Sequence, residues 1–234
     1  PDPGASAPFP PHSVMAGVGA LCWNASMTTG TKTDLTKTLD GYRARIGEFR
    51  LLELPPSRYL AIDGHGDPNT APAYAEALEA LYPVAYALKF ASRSELDRDY
   101  VVPPLEGLWW ADDMDAFTTA RDKTRWDWTM MILIPDWVED PLVHAAIATV
   151  REKKLPARID ALRILPLSEG TCMQTLHVGS FDDEAPLLER LHDEVIPEHG
   201  LRLAGLHHEI YLSDARRVPP ERRRTILRQP VAPA

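Results

Sequence analysis

An α+β fold is predicted, in which two strand–helix–strand–strand modules build one antiparallel sheet with helices on a single face. Three observations lead to it. Apolar residues alternate with a period of two in short runs and recur at i+3/i+4 in the longer segments between them. The order of these runs repeats, once over about residues 49–134 and again over about 162–231. In each repeat a Gly-containing turn, GHGDPNTAP or GSFDDEAP, opens the helical segment. A duplication of this kind places a pseudo-twofold axis between the halves, with a cleft at that axis or an open sheet face left for a ligand.

The elements follow in order. Residues 1–30 are rich in Pro, Ala, Gly and Ser and read as a disordered tail or leader, with Met15 and Met27 as candidate starts. Residues 31–234 read as a single domain. TKTDLTKTLDGYR (31–43) reads as a short polar helix leading into the fold. FRLLEL (49–54) and RYLAIDGHG (58–66) are strands parted by Pro55–Pro56. A helix then carries Tyr74, Leu78, Leu81, Ala85 and Leu88 on one stripe, and Pro83 should kink it or end its first part. LEGLWW (105–110) and WDWTMMILI (126–134) complete the first module. A linking helix near 141–154 leads to strands LRILPL (162–167) and CMQTLHVGSF (172–181). A helix over 184–199 and strands HEIYLSD (208–214) and RTILRQPV (224–231) finish the second.

Composition excludes several functions. The net charge of −9 repels phosphate backbones and argues against direct nucleic-acid binding. No run approaches the roughly 20 apolar residues that span a bilayer, and the protein is expected to be cytoplasmic. Two cysteines, Cys22 and Cys172, are too few for a disulfide framework, and Cys172 in an apolar run reads as a buried thiol. HExxH, GxSxG, P-loop and GxGxxG motifs are all missing from the sequence, so neither a metal nor an organic cofactor is expected.

The residues that carry chemistry lie in the paired final strands. Aligning the halves sets Glu106-Gly-Leu-Trp-Trp-Ala-Asp112 against Glu209-Ile-Tyr-Leu-Ser-Asp214, so that Glu106 and Glu209 are expected to face a shared centre. Tyr211 shares a strand face with Glu209. Trp109 and Trp110 point to opposite faces, and one of them is expected to wall the cleft. Trp126, Trp128 and Met130 share a face and serve either as core or as a wall for a flat ligand. Trp137 is a candidate rim residue, and Tyr86 and Phe90 are candidate walls. His177 is a further candidate, with a satisfied core or edge histidine as its other reading.

HHEIYLSD…RRTILRQPV resembles the end of the GyrI-like small-molecule-binding domain family, and PLEGLWW, YPVAYALKF and WDWTMMILIPDWV resemble a stand-alone branch of it. The resemblance runs from about residue 35 to 231. It implies paired modules around a cleft for aromatic, often cationic, compounds, with a glutamate of the last module, here Glu209, in that cleft. It also implies a cofactor-independent hydrolase that opens the ring of DNA-alkylating cyclopropanoid natural products of the yatakemycin type, protecting the producing cell. The partner would be a hydrophobic polyaromatic small molecule. Opening an activated cyclopropane conjugated to a dienone needs a positioned water, a base, and an acid near the carbonyl oxygen. Glu209 is favoured as the base, Glu106 shares the acid–base work, and Tyr211 donates to the developing phenolate. The other reading is a non-catalytic protein of the same family that sequesters or senses the same ligands.

Overall fold

The computed structural model describes residues 31–112 and 122–234; the tail reading for residues 1–30, and Cys22 with it, lies outside the described residues. The strands are β1 (Arg50–Leu54), β2 (Ser57–His65), β3 (Leu105–Trp110), β4 (Asp127–Ile134), β5 (Arg163–Leu167), β6 (Gly170–Val178), β7 (Leu201–Leu203), β8 (His207–Tyr211) and β9 (Arg224–Pro233). The helices are α1 (Leu35–Thr38), α2 (Pro72–Glu95) and α3 (Asp140–Lys154). A fourth helical run, α4, starts as Ala185–Glu189, widens to π-helix over Arg190–Val195 and ends as Ile196–Glu198.

The main sheet runs β1-β6-β9-β8-β3-β4-β2-β5, every neighbour antiparallel, with β7 paired to the end of β9. The pseudo-twofold axis passes between β3 and β8. The repeat is not a simple tandem. β1 precedes β2 in the chain yet pairs with β6, and β5 precedes β6 yet pairs with β2. Each half therefore lends its first strand to the outer edge of the other half.

Strand ends fix how the halves superimpose. Ser57 falls on Gly170, Asp127 on Arg224 and Leu105 on His207. Glu106 then matches His208, and it is Gly107 that matches Glu209. The expected alignment of Glu106 with Glu209 is out by one residue. In a strand such a slip moves a side chain to the opposite face, and the two glutamates do face opposite sides: Glu106 is paired with Ile210, and Glu209 with Gly107.

One face carries the helices. Leu60, Ile62, Trp109, Trp128, Met130 and Ile132 meet Ala77, Leu81, Val84 and Leu88 of α2, and α3 packs on α2 through Val143, Ala146, Ile147 and Val150. Leu191, Val195 and Ile196 of α4 cover Met173 and Val231 in the other half. Pro83 does not end α2, because buried residues on both sides of it bind one continuous stripe to the sheet. The opposite face carries Tyr59, Ala61, Leu108, Met131, Leu176, Ile210 and Ile226, and Leu35 and Tyr42 from the N-terminal segment close it. The segment expected as a polar lead-in is a cover, because Leu35 and Tyr42 anchor it to this face.

Trp128 is fully buried, and its indole lies across Gly64, its cross-strand partner. A Cβ at residue 64 would fall 2.0–2.5 Å from three ring atoms, and the ring also donates to Gly66 O at 3.2 Å. Gly64→Ala is expected to destabilise the fold by roughly 1–3 kcal/mol through overpacking, read as a lower urea midpoint at unchanged slope.

Candidate functional site

The cleft lies on the helix face, between α2 and α4, over the paired β3 and β8. Its volume is about 1550 Å³. Tyr74, Tyr82 and Tyr86 of α2 form one wall, and Phe181, Leu188 and His192 form the other. Trp109, Glu209 and Tyr211 are on its floor side, with Trp126 at one end.

Alternation builds the floor. Trp109, Gly107, Glu209 and Tyr211 share one face because Gly107 opposes Glu209. Gly107 has a steric role: a Cβ there would lie 2.5 Å from Met130 Cε, 2.8 Å from Trp109 Nε1 and 3.2 Å from Tyr211 Oη. Without it, the Trp109 indole N–H donates across the gap to Tyr211 Oη at 2.9 Å. Aromatic edges hold the walls in place. Trp109 meets Trp126 edge-on at 5.7 Å, and Phe181 meets Tyr211 at 5.6 Å, the separations at which ring quadrupoles attract.

Hydrogen-bond roles follow from the chemistry of the groups. An indole N–H only donates, so Tyr211 Oη accepts from Trp109 and keeps its own proton free for a further acceptor. Burial, and then the Glu209 charge, push the Tyr211 pKa well above its usual 10, so the phenol stays protonated. Glu209, two residues away on the same strand face, is a carboxylate only 12% exposed. Its Oε1 also lies 3.4 Å from Nε2 of the buried His207.

Glu106 belongs to a different cluster, sealed on the far face. It is 1% exposed. Tyr42 donates to its Oε1 at 2.5 Å, and His208 Nε2 donates to Oε2 at 2.9 Å. His208 Nδ1 donates to Glu169 at 2.9 Å, and Arg228 donates to Glu169 at 3.0 Å and to Gln174 at 3.1 Å. Burial alone would lower the His208 pKa, but Glu169 and Glu106 raise it. Burial works against the Glu169 charge too, yet His208 and Arg228 bring its pKa down to about 2. This is a charge-balanced set of two cations and two anions, walled off from the cleft by the sheet.

The remaining candidates separate in the same way. Trp109, Trp126 and Tyr86 line the cleft. Trp128 and Met130, expected as possible walls, are fully buried beneath it. Trp110 packs on the far face. Trp137 is a structural residue away from the cleft: it donates to Ser92 Oγ at 3.2 Å and lies under the Arg98 guanidinium at 4.0 Å. Phe90 lines a shallow groove between α2 and α3. His177 is buried and bonds Ser180 O at 2.9 Å, closing the turn after β6. Cys172 is a buried thiol whose pKa burial pushes up to about 12. Among the described residues no group of three or more His, Cys, Asp and Glu could hold a metal ion, and no helix is long and apolar enough to cross a membrane.

Sequence reasoning missed Tyr82, Phe181 and His192 in the cleft and Glu169, Arg228 and Tyr42 in the sealed cluster. Tyr82 and Tyr86 were legible, one helical turn apart in YPVAYALKF. His192 was not, because π-helical winding breaks the 3.6-residue period.

A family model described as a GyrI-like small molecule binding domain matches residues 47–232. A crystal structure of a conserved protein from Listeria innocua superimposes with a TM-score of 0.78 at 33% identity, over 86% of this chain and 100% of that one. A hydrolase from Listeria innocua superimposes with a TM-score of 0.74, again at 33% identity and with the same coverage. The C-terminal domain of EcmrR covers 80% of this chain and 98% of its own at 10% identity and a TM-score of 0.51, a likeness of fold alone. No curated protein matches the chain.

Proposed function

The chain belongs to the GyrI-like small-molecule-binding domain family, and from that premise we propose that it is a hydrolase that opens the cyclopropane ring of flat, multi-ring cyclopropanoid compounds. The observation that carries this reading is Glu209. It is a mostly buried carboxylate on the floor of an aromatic cleft, on the same strand face as a phenol whose oxygen is fixed by an indole. Burial of this kind is wasteful for a surface charge and useful for a base. The likeness to a Listeria innocua hydrolase at 33% identity supports catalysis over binding alone. The cleft exceeds the roughly 300–1,000 Å³ of common ligand sites, which suits an elongated molecule of several linked rings.

Glu209 takes a proton from water as the water oxygen bonds to the cyclopropane methylene. The bond from that carbon to the spiro carbon breaks, and its electron pair passes through the dienone to the carbonyl oxygen. The Tyr211 hydroxyl donates to this oxygen as charge accumulates there, and Trp109 keeps the tyrosine in place. Ring strain and aromatisation supply the driving force, so the protein's task is orientation and proton transfer. Glu106 takes no part in this scheme, since it faces the far side of the sheet.

Incubation with a spirocyclopropyl dienone is expected to give a phenol heavier by one water, with many turnovers per protein, by mass spectrometry. Ligand that binds and is recovered unchanged would instead make this a sequestering member of the family.

A further inference from the structure

A buried imidazole, His207, adjoins Glu209 and a second, His192, meets it in turn; the scheme above uses neither. His207 begins β8, opposite Trp109, and its side chain is 3% exposed. Its Nε2 lies 3.4 Å from Glu209 Oε1, a contact that a small side-chain movement closes to a hydrogen bond. His192 meets the His207 ring edge-on with centroids 6.0 Å apart. It comes from the π-helical turn of α4, a type of winding that recurs at functional sites. Its Nε2 is buried without a hydrogen-bond partner.

We infer that His207 is the proton-holding partner of Glu209, a positioning residue that receives from the carboxylate the proton Glu209 removes from water. This rests on the hydrolase reading of the cleft. The proton passes from Glu209 Oε1 to His207 Nε2, which restores the carboxylate beside the developing phenolate. After Tyr211 has given its proton to the product oxygen, the imidazolium returns the stored one through Glu209 to Tyr211. No proton is gained or lost in the cycle beyond that of the added water.

The surroundings favour such a store. Burial, and then His207, lower the His192 pKa to about 4, so His192 stays neutral beside the His207 ring. Glu209 and Tyr211 face it from its own strand. Tyr74 of α2 and Glu184 ahead of α4 act on it through Glu209 and Tyr211, whose charge and proton they feel.

The test has two arms. In the first, the His207 ring nitrogen resonances, identified by their loss in His207→Gln, are compared between the wild-type protein and Glu209→Gln at one pH. Removing the carboxylate is expected to move the Nε2 resonance, because its partner 3.4 Å away is gone. An unchanged Nε2 resonance overturns the inference, whatever the protein hydrolyses. In the second arm, His207→Gln is expected to lower kcat about 10²-fold at unchanged KM, with an altered pH–rate profile. A KM effect alone, or a melting shift with normal kcat, would mark His207 as structural and also overturn the inference. A moved Nε2 resonance without turnover of any spirocyclopropyl dienone would leave the pairing in place and remove the hydrolase reading beneath it.

Discussion

Glu209→Gln is expected to lower turnover of a spirocyclopropyl dienone by roughly 10²–10⁴-fold, the range that a positioned general base contributes. The substitution keeps the size of the side chain, so the floor geometry set by Trp109 and Gly107 survives. Ligand affinity, read by quenching of Trp109 and Trp126 fluorescence, should change little, because the walls supply most of the contact area. Affinity and rate therefore come apart in this variant. A Glu209→Gln protein that hydrolyses at the wild-type rate would remove the base from the scheme and leave an aromatic binding cleft.

The second large effect falls on stability and leaves catalysis alone. Glu106→Ala leaves the His208 imidazolium with one carboxylate in place of two, and leaves the Tyr42 hydroxyl without its acceptor, both in a fully buried setting. Breaking a buried ion pair from one side typically costs about 3–5 kcal/mol, or roughly 6–20 °C in melting temperature for a domain of this size. The pH dependence has a definite sign. The folded His208 pKa is raised, so its stabilisation is complete below the unfolded value near 6.5 and is lost as pH rises through the folded one. Glu169 behaves oppositely: its stabilisation is complete above about 4.5 and is lost as pH falls through its folded value of about 2. Thermal melts carried upward from about pH 6.5, the unfolded His value, should find Glu106→Ala losing less than wild type as pH rises, while the folded fraction keeps its turnover number. A stability equal to that of the wild type would deny the network its weight.

Periodicity made most of the architecture legible. The α2 stripe, the alternation of β2 and β4 and the duplicated order all follow from local residue spacing, which backbone geometry converts directly into faces. Register was harder. Two carboxylates at similar places in two strands invited an alignment one residue out, and a period of two turns a one-residue error into the wrong face. The placement of Trp128 depended on Gly64, a residue across the sheet whose missing side chain makes room for the indole. The sealed cluster draws Tyr42, Glu106, Glu169, His208 and Arg228 from five separate segments, and no local pattern joins them. What was legible at the cleft was Glu209 with Tyr211, two residues apart on one strand, because that spacing alone places them on one face.

The exchange of β1 and β5 between the halves bears on how the protein comes apart. Each half, taken by itself, would expose one flank of an inner strand, β2 or β6, that its own preceding strand does not cover. The arrangement is that of a domain-swapped dimer written into one polypeptide, with α3 as the link between its two protomers. A nick in α3 would leave two fragments still interlocked by three ladders, β1–β6, β2–β5 and β3–β8, so the halves dissociate only by unfolding. For a cleft that straddles the junction, this interlocking keeps the two walls at a fixed separation while ligands enter and leave.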